Sequence, residues 1–351
     1  MNIFNLPKLS YPISKKKIKY LYKFYDMLAK SELNYELSPM AINDESIPIA
    51  LFGQQGLPSY TVLSKKTALM YNKYQLDKES TSVFYQSLYR NIYNADNYHK
   101  SKGFYDSLAS NNTVFNFLDK INVIDEDMKV IVELGCDSGQ NLVPFDNGKR
   151  KLIGFDFDEV NIEAGKKKWG LDGLQSGDLN TLVQKNDINP DLVILNHVIE
   201  HVKDLNETFE ILDKIIDNGK LLFIGIPELF VWSEKSNYNI VGTIQLAHNY
   251  YFTYDFFINY SYGYGFTLIH KDQKGNLLFR KVKFSDHKAP SHPPDHKTVL
   301  GKYNDHVLRF KNEKKTIYKI KSYIKWVLGV FLYIGLYAKI FFTLKRLKFK
   351  F

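Results

Sequence analysis

The sequence predicts an α/β fold in which helices cover both faces of a doubly wound, mostly parallel sheet. Short apolar runs alternate with helical patterns between about residues 115 and 285. Two further runs near the end of this region flank a glycine-containing turn, which predicts a terminal antiparallel strand. A mostly helical extension is expected before the sheet, and an amphipathic, hydrophobic helix is expected after it.

Four short apolar runs predict the parallel strands. They cover residues 129–133, 151–156, 192–196 and 220–226. Helical spacing predicts helices over residues 160–168 and 205–216, and a further helix is expected between the first two strands. The antiparallel hairpin is predicted at residues 266–270 and 277–282, on either side of Gly275.

Residues 1–114 are assigned to the N-terminal extension, with helices at 17–30 and 82–93. Between these helices, Pro48, Gly53 and Pro58 predict an irregular connector. Residues 115–285 form the predicted sheet domain, and residues 286–311, which include a proline-containing stretch, are expected to be a linker.

Residues 312–351 form a basic, hydrophobic tail. Its uncharged run at 326–338 is too short to span a bilayer, and lysines stand on both sides of it. The favoured interpretation is a helix that lies in the interface of an anionic membrane. The alternative is that this tail packs on its own domain or on a second subunit. Whether the protein forms a homodimer is left open by the sequence.

The net charge of +9 is concentrated at the end of the chain. Residues 297–351 carry a net charge of +12, so the remainder sums to −3, which argues against a nucleic-acid-binding face on the body. The single cysteine, Cys136, excludes internal disulfides and fits a reducing compartment. The N-terminus lacks an apolar core of signal-peptide length, so we expect a cytoplasmic protein, peripheral on the inner face of the membrane.

The loop after the first predicted strand places Glu133 two residues before Gly135, with Asp137 and Gly139 following. By residue type it suits a nucleoside-containing cofactor, and the dinucleotide fingerprint G-x-G-x-x-G is absent. It resembles motif I of the class I S-adenosylmethionine (SAM) methyltransferases, E/D-x-G-x-G-x-G, which have a Rossmann-like fold. Asp137 stands where that family has glycine, and aspartate tolerates the left-handed conformation better than most residues.

The resemblance continues through GFD at 154–156, GDL at 177–179 and NHVIEHV at 196–202. It implies SAM as cofactor, with binding residues at the matching positions: Glu133, Gly135, Gly139, Asp156, Asp178 and Asn196. The tyrosine-rich run at 85–94 is similar to a helix that covers the cofactor in relatives, which implies a lid that includes Tyr89. Structural alternatives remain for the acids: a helix cap for Glu133 or Asp156, and a turn residue for Asp178.

Three histidines are candidates for removing a proton from the acceptor: His197, His201 and His248. The segment that begins at His248 resembles the H-x-x-Y-Y/F-S/T stretch of sugar and surface-glycan methyltransferases, which implies His248 as general base. We therefore expect methylation of a hydroxyl on a sugar or lipid-linked glycan precursor. A quinone or lipid-like acceptor, which NHVIEHV also resembles, and a non-catalytic membrane-bound scaffold are the alternatives. The alternative for the three histidines themselves is a structural role without any part in catalysis.

A second group of potential ligands comprises Asp286, His287, His292, Asp295 and His296. Its spacing matches no closed zinc pattern, so no metal is expected there.

Overall fold

The computed structural model describes residues 15–93, 112–184, 188–283 and 293–313. The first of these segments contains helices α1 (Lys15–Ala29), α2 (Lys78–Phe84) and α3 (Arg90–Tyr93), with a π-helical turn at Tyr85–Tyr89 between the last two. Its strands are β1 (Tyr35–Leu37), β2 (Ser46–Phe52), β3 (Pro58–Ser64), β4 (Met70–Asn72) and β5 (Tyr74–Leu76). β1 pairs with β5, and β2, β3 and β4 belong to an antiparallel sheet whose fourth strand, Tyr250–Tyr251, comes later in the chain.

This arrangement differs from the mostly helical extension that the sequence predicts, although both expected helices are present. The region expected to be an irregular connector contains β2 and β3. β2 is the edge strand of its sheet, and its register with β3 shifts beside Pro48. Proline is tolerated at such a position because an edge strand has N–H groups that need no partner.

The sheet domain begins with α4 (Thr113–Lys120) and continues as an alternation of strands and helices. Its elements are β6 (Val130–Leu134), β7 (Lys151–Asp156), α5 (Glu159–Trp169), β8 (Leu174–Ser176), α6 (Leu179–Gln184), β9 (Leu192–Asn196), α7 (Leu205–Ile215), β10 (Leu221–Gly225), α8 (Leu229–Lys235), β11 (Tyr250–Tyr251), α9 (Tyr254–Tyr262), β12 (Phe266–Lys271) and β13 (Asn276–Lys281). The order of the seven-stranded sheet is β12-β13-β10-β9-β6-β7-β8. β6 to β10 are mutually parallel where they pair, whereas β13 is antiparallel to β10 and β12.

β6 pairs with β7 on one side and with β9 on the other, so the strand order reverses there. Such a switch point leaves a crevice outside the carboxyl ends of the strands, where ligands of open α/β sheets bind. Separate apolar clusters cover the two faces of the sheet, which explains why its central strands are almost wholly apolar. The crevice therefore lies near Leu134 and Asn196, where β6 and β9 end.

The helix expected between the first two strands is absent from the structure. A single 3₁₀ turn, Val143–Phe145, lies there instead. Pro144 and the turn around Asn147 and Gly148, whose φ is +72°, interrupt any helical run, and the Asn147 side chain accepts the N–H groups of the next residues. Between β6 and β7, these residues leave no uninterrupted run long enough for an α-helix.

The part of the predicted linker that the structure describes also differs from expectation, because residues His296–Glu313 form helix α10. The Asp295 carboxylate accepts the N–H groups of Lys297 and Thr298 at its start, and Val299 and Tyr303 are buried against Met70 and neighbouring apolar residues. Burial of this apolar face stabilises a helix where composition suggested a linker.

Among the described residues, no helix has the length and apolar character needed to cross a membrane. Residues 314–351 of the predicted tail lie outside the described residues.

Candidate active site

Three residues of left-handed conformation shape the loop after β6. Gly135, Asp137 and Gly139 have φ angles of +67°, +51° and +76°. A Cβ on Gly135 would lie 2.4 Å from Cγ2 of Val198, so this position requires glycine. Asp137 adopts the conformation for which the motif uses glycine, which confirms the expectation that aspartate tolerates it. The departure from the motif therefore preserves the path of the loop.

Asp156 ties this loop to the end of β7. Its Oδ2 accepts the N–H of Asp137 at 2.9 Å, and its Oδ1 accepts the N–H of Asp158 at 2.9 Å. The side-chain amide of Asn161 donates to Oδ1 of Asp137. Asp158, not Asp156, caps α5. Each carboxylate oxygen has two acceptor positions, so Asp156 can still accept ligand hydroxyls.

Glu133 is fully buried in β6 and has one oxygen to offer a ligand. Oε1 accepts the side-chain amide of Asn141 at 2.6 Å, whereas the buried Oε2 has no hydrogen-bond partner among the described residues. Burial is the main reason why the pKa of Glu133 is raised to about 8. The hydrogen bond from Asn141 lowers this pKa, whereas the negative charges of Asp156 and Asp137 raise it. The buried Oε2 is open to a ligand, and a cationic group placed beside it would lower the pKa of Glu133 and favour the ionised carboxylate.

Asp178 follows β8 and Asn196 ends β9, two strands that β6 and β7 separate in the sheet. Oδ1 of Asp178 accepts the N–H and the hydroxyl of Thr181 at 3.0 and 3.1 Å, so this oxygen has the turn role left open by the sequence. Asn196 ends β9 and approaches β10 closely, since a Cβ on Gly225 would lie 2.3 Å from Oδ1 of Asn196. Both side chains are partly exposed.

The predicted tyrosine lid packs as a column of rings. The ring of Tyr89 lies 4.9 Å from that of Tyr85 and 5.3 Å from that of Tyr93, measured between centroids. The hydroxyl of Tyr85 lies 2.9 Å from Nδ1 of His201, which joins the column to the histidine cluster. The sequence places Tyr85 in the lid run at 85–94 but does not predict its contact with His201, which lies 116 residues later in the chain.

The three predicted catalytic histidines gather around one carboxylate, that of Glu200. Nδ1 of His197 and Nε2 of His201 lie 3.4 and 3.9 Å from Oε1 of Glu200. The ring of His248 meets that of His201 edge to face, with centroids 4.8 Å apart. Residues almost 50 positions apart in the chain therefore form one polar cluster beside the end of β9.

The histidines differ sharply in exposure. The His197 side chain is 45% exposed, and its φ of +57° is a strained conformation that clusters at functional sites. His248 is buried, and burial lowers its pKa to about 3. Burial raises the pKa of Glu200, but the hydrogen bond from His197 and nearby histidine charge outweigh it, so its pKa is lowered and the carboxylate is ionised.

The N-terminal sheet holds the His248 segment in place. β11 pairs with β4, and the side-chain amide of Asn72 donates to the carbonyl of His248 at 2.8 Å. Asn249 in turn donates its N–H to the carbonyl of Glu200 at 2.8 Å. No local pattern marks Asn72 as a site residue, because its partner lies far away in the chain.

Comparisons with known proteins agree with this geometry. Residues 107–271 match a family model described as a methyltransferase domain. No curated protein matches the chain.

Among solved structures, the chain is similar to a SAM-dependent methyltransferase of Thermotoga maritima (16% identity, 52% of this chain and 95% of the other, TM-score 0.35). It is also similar to an O-methyltransferase family protein of Burkholderia thailandensis (13%, 76% and 71%, 0.40). A third similar structure is human N-acetylserotonin methyltransferase in complex with SAM (17%, 58% and 62%, 0.39). At these identities and TM-scores, none of the likenesses indicates an acceptor.

The domain match covers the loop, the β9 end and the histidine cluster, and the sheet has the switch point that such a cofactor needs. Residues 107–271 form a methyltransferase domain with a Rossmann-like sheet, and this domain gives the chain SAM-dependent methyltransferase activity with SAM as cofactor.

Proposed function

We propose that this enzyme methylates a hydroxyl group of a sugar or of a lipid-linked glycan precursor. The observation that carries the proposal is the pairing of His197 with Glu200. The imidazole is half-exposed at the carboxyl end of β9, and its Nδ1 lies 3.4 Å from a buried carboxylate oxygen. A hydroxyl loses its proton when it is methylated, and an imidazole oriented by a carboxylate is suited to accept that proton.

The cofactor residues have separate tasks in this proposal. SAM, when bound, supplies a methyl group activated on a sulfonium. Glu133 would hold its ammonium group through Oε2, Asp156 would hold its ribose hydroxyls, and Asp178 would meet its adenine amino group through the oxygen that does not bond Thr181. The backbone at Gly135 and Gly139 allows close approach, with Asn196 and Tyr89 bordering the cleft.

We assign the role of general base to His197 and not to His248. The burial of His248 keeps its imidazole neutral but also weakens it as a base, because the protonated form is disfavoured there. His197 has an exposed face for an acceptor and a buried partner that stabilises its protonated form. His201 is held by Tyr85 and by the carbonyl of Ala247, which suits a supporting role.

Positioning of the acceptor should contribute more than the base. Orientation supplies effective molarities of roughly 10⁵–10⁸ M, whereas a general base adds about 10²–10⁴-fold. The ring of Trp232 lies 5.9 Å from that of His197 and offers a flat surface beside the base. A hydroxyl-rich acceptor would also find the polar groups of the histidine cluster close by.

We further propose that the tail at 312–351 holds the enzyme on the cytoplasmic face of a membrane, where lipid-linked precursors are made. The proposal rests on the sequence of the tail. Residues 314–351 contain ten Lys/Arg and no acidic residue around the uncharged run at 326–338.

Transfer of labelled methyl from SAM into fractionated cell envelope tests the acceptor class. The purified full-length enzyme is offered polyprenyl-linked sugars and, in parallel, prenylated phenols of similar chain length. We expect label in the glycan precursors as a base-stable methyl ether. Label that enters only the prenylated phenols would overturn the glycan proposal in favour of a quinone-type acceptor.

A further inference from the structure

We propose that Glu200, His201 and His248 bind one divalent transition-metal ion of the zinc class next to the acceptor position. The binding itself needs only these three side chains. The catalytic role that we give to the ion rests on the proposed function, since it acts on the acceptor hydroxyl.

The donor set and its spacing carry the inference. One carboxylate oxygen and one nitrogen from each imidazole lie within 4.8 Å of one another. Two histidines and a glutamate are the protein ligands of many catalytic zinc sites, which keep a further position open. In a tetrahedral zinc site, ligand atoms are about 3.4 Å apart, so movements of about 1 Å would close the set around an ion.

The hydrogen bonds of His201 prepare one of its ring nitrogens for a metal. Nδ1 lies 2.8 Å from the carbonyl oxygen of Ala247 and 2.9 Å from the hydroxyl of Tyr85. A carbonyl can only accept, so Nδ1 carries the proton and Nε2 has the free lone pair. That lone pair is on the side of Glu200, 3.9 Å from Oε1. Metal-binding histidines usually donate their second ring N–H to a carbonyl in this way.

Glu200 supplies an independent observation that points to a ligand. Its side chain is 1% exposed, yet Oε2 has no hydrogen-bond partner among the described residues. A buried carboxylate oxygen without a partner is costly, and the nearby groups of His197 and His201 approach Oε1 instead. A bound cation would satisfy this oxygen.

Donor chemistry selects the class of ion. Mg²⁺ and Ca²⁺ prefer oxygen ligands, whereas imidazole suits zinc, copper, iron and nickel. Methyl transfer is not a redox reaction, so a redox-inactive ion such as Zn²⁺ fits best. An open position on the ion would coordinate the acceptor hydroxyl and lower its pKa, and the proton released would pass to His197.

Metal content of the purified full-length protein tests the site directly. The protein is stripped with a chelator, dialysed against Zn²⁺ and analysed by mass spectrometry, and Co²⁺ is titrated in parallel because its visible absorption reports nitrogen and oxygen coordination. We expect about one ion per chain and cobalt bands of a four- or five-coordinate site. Absence of Zn²⁺ and Co²⁺ binding by the wild-type protein at 100 μM metal would overturn the proposal without any variant.

Variants locate the ion. His248→Ala and Glu200→Gln should each weaken Zn²⁺ binding by at least about 100-fold, whereas His270→Ala, an exposed histidine on β12, should leave it unchanged. Zinc that binds His248→Ala as tightly as wild type would place the ion elsewhere and sink the assignment. Calorimetry with S-adenosylhomocysteine (SAH) shows that each variant is folded, and a metal site without any glycan methylation would disprove the acceptor alone.

Discussion

The backbone N–H of Asp137 donates a hydrogen bond to Oδ2 of Asp156 across 2.9 Å. The aspartate that replaces a motif glycine is thereby joined to the aspartate that ends the next strand. Asn161 fixes the Asp137 side chain from the first turn of α5. The loop after β6, the end of β7 and the first turn of α5 are thus joined by hydrogen bonds, and Asp137 takes part in both of them.

Substitutions of Asp137 should distinguish the effect of its left-handed backbone conformation on stability from the effect of its side-chain hydrogen bond. Its φ of +51° favours glycine, asparagine or aspartate, so Asp137→Asn and Asp137→Gly should stay within about 1 kcal/mol of the wild-type free energy of unfolding. Asp137→Val should lose about 1–2 kcal/mol or more, because a β-branched residue is strained there. Denaturant titration measures all three, and equal stability of Asp137→Val would contradict the importance of the left-handed conformation.

The sheet domain was largely predictable, because its buried parallel strands are continuous apolar runs that only a two-sided core explains. β7 and β9 begin and end at the predicted residues. The N-terminal sheet was not predictable in the same way, since Pro48 disguises β2 and the partner of β4 is β11, more than 170 residues later.

The candidate site shows the same limit. The histidines were found from local motifs, but their common neighbour Glu200 and the support from Asn72 depend on long-range contacts. The exposure of His197 and the burial of His248 are the reason why we propose His197 as the base, and only three-dimensional packing determines exposure.

Asp156→Ala should weaken binding of SAH by roughly 10–100-fold. The variant loses charge-assisted hydrogen bonding to the ribose, and a net loss equal to one such bond is worth about 1.5–3 kcal/mol. Calorimetric titration measures the affinity, and Asp172→Ala, an exposed acid in the same region, is the matched control. Unchanged affinity in Asp156→Ala would remove Asp156 from cofactor binding, provided that thermal unfolding shows an intact loop.

Glu133 should make stability fall as pH rises. Burial raises its folded-state pKa to about 8, above the ordinary value of 4.5, and Asp156 and Asp137 add to the shift. The folded state therefore holds a proton that the unfolded state releases above pH 4.5. The stabilisation present below pH 4.5 is lost progressively until pH 8, at up to about 1.4 kcal/mol per pH unit.

The measurement is the difference in unfolding free energy between wild type and Glu133→Gln from pH 5 to pH 9. Glutamine keeps the shape and the bond to Asn141 but does not titrate, so the difference isolates Glu133 from other groups. A difference that is flat across this range would mean that Glu133 is ionised in the folded protein throughout.

His197→Ala should lower kcat by about 10²–10⁴-fold and leave the affinity for SAH nearly unchanged. His197→Gln should lose as much, because an amide can still hydrogen-bond to Glu200 but cannot accept the proton. Steady-state rates with a saturating acceptor measure kcat, and His270→Ala serves as the control. If His197→Gln were as active as wild type, the imidazole would have only a positioning role.

Deletion of residues 314–351 should release the enzyme from anionic membranes. The deletion ends after α10, so every described element is retained, while ten basic residues and the apolar run are removed. Each basic residue near an anionic surface contributes about 1 kcal/mol, and this part of the attraction is screened by salt. Co-sedimentation with phosphatidylglycerol-containing vesicles should therefore be strong for the full chain, weaker at high salt and lost on truncation.

SAH affinity should be the same in both proteins, because no cofactor residue lies in the tail. A full-length chain that stays in the supernatant would rule out the membrane role and favour a tail that packs on the protein.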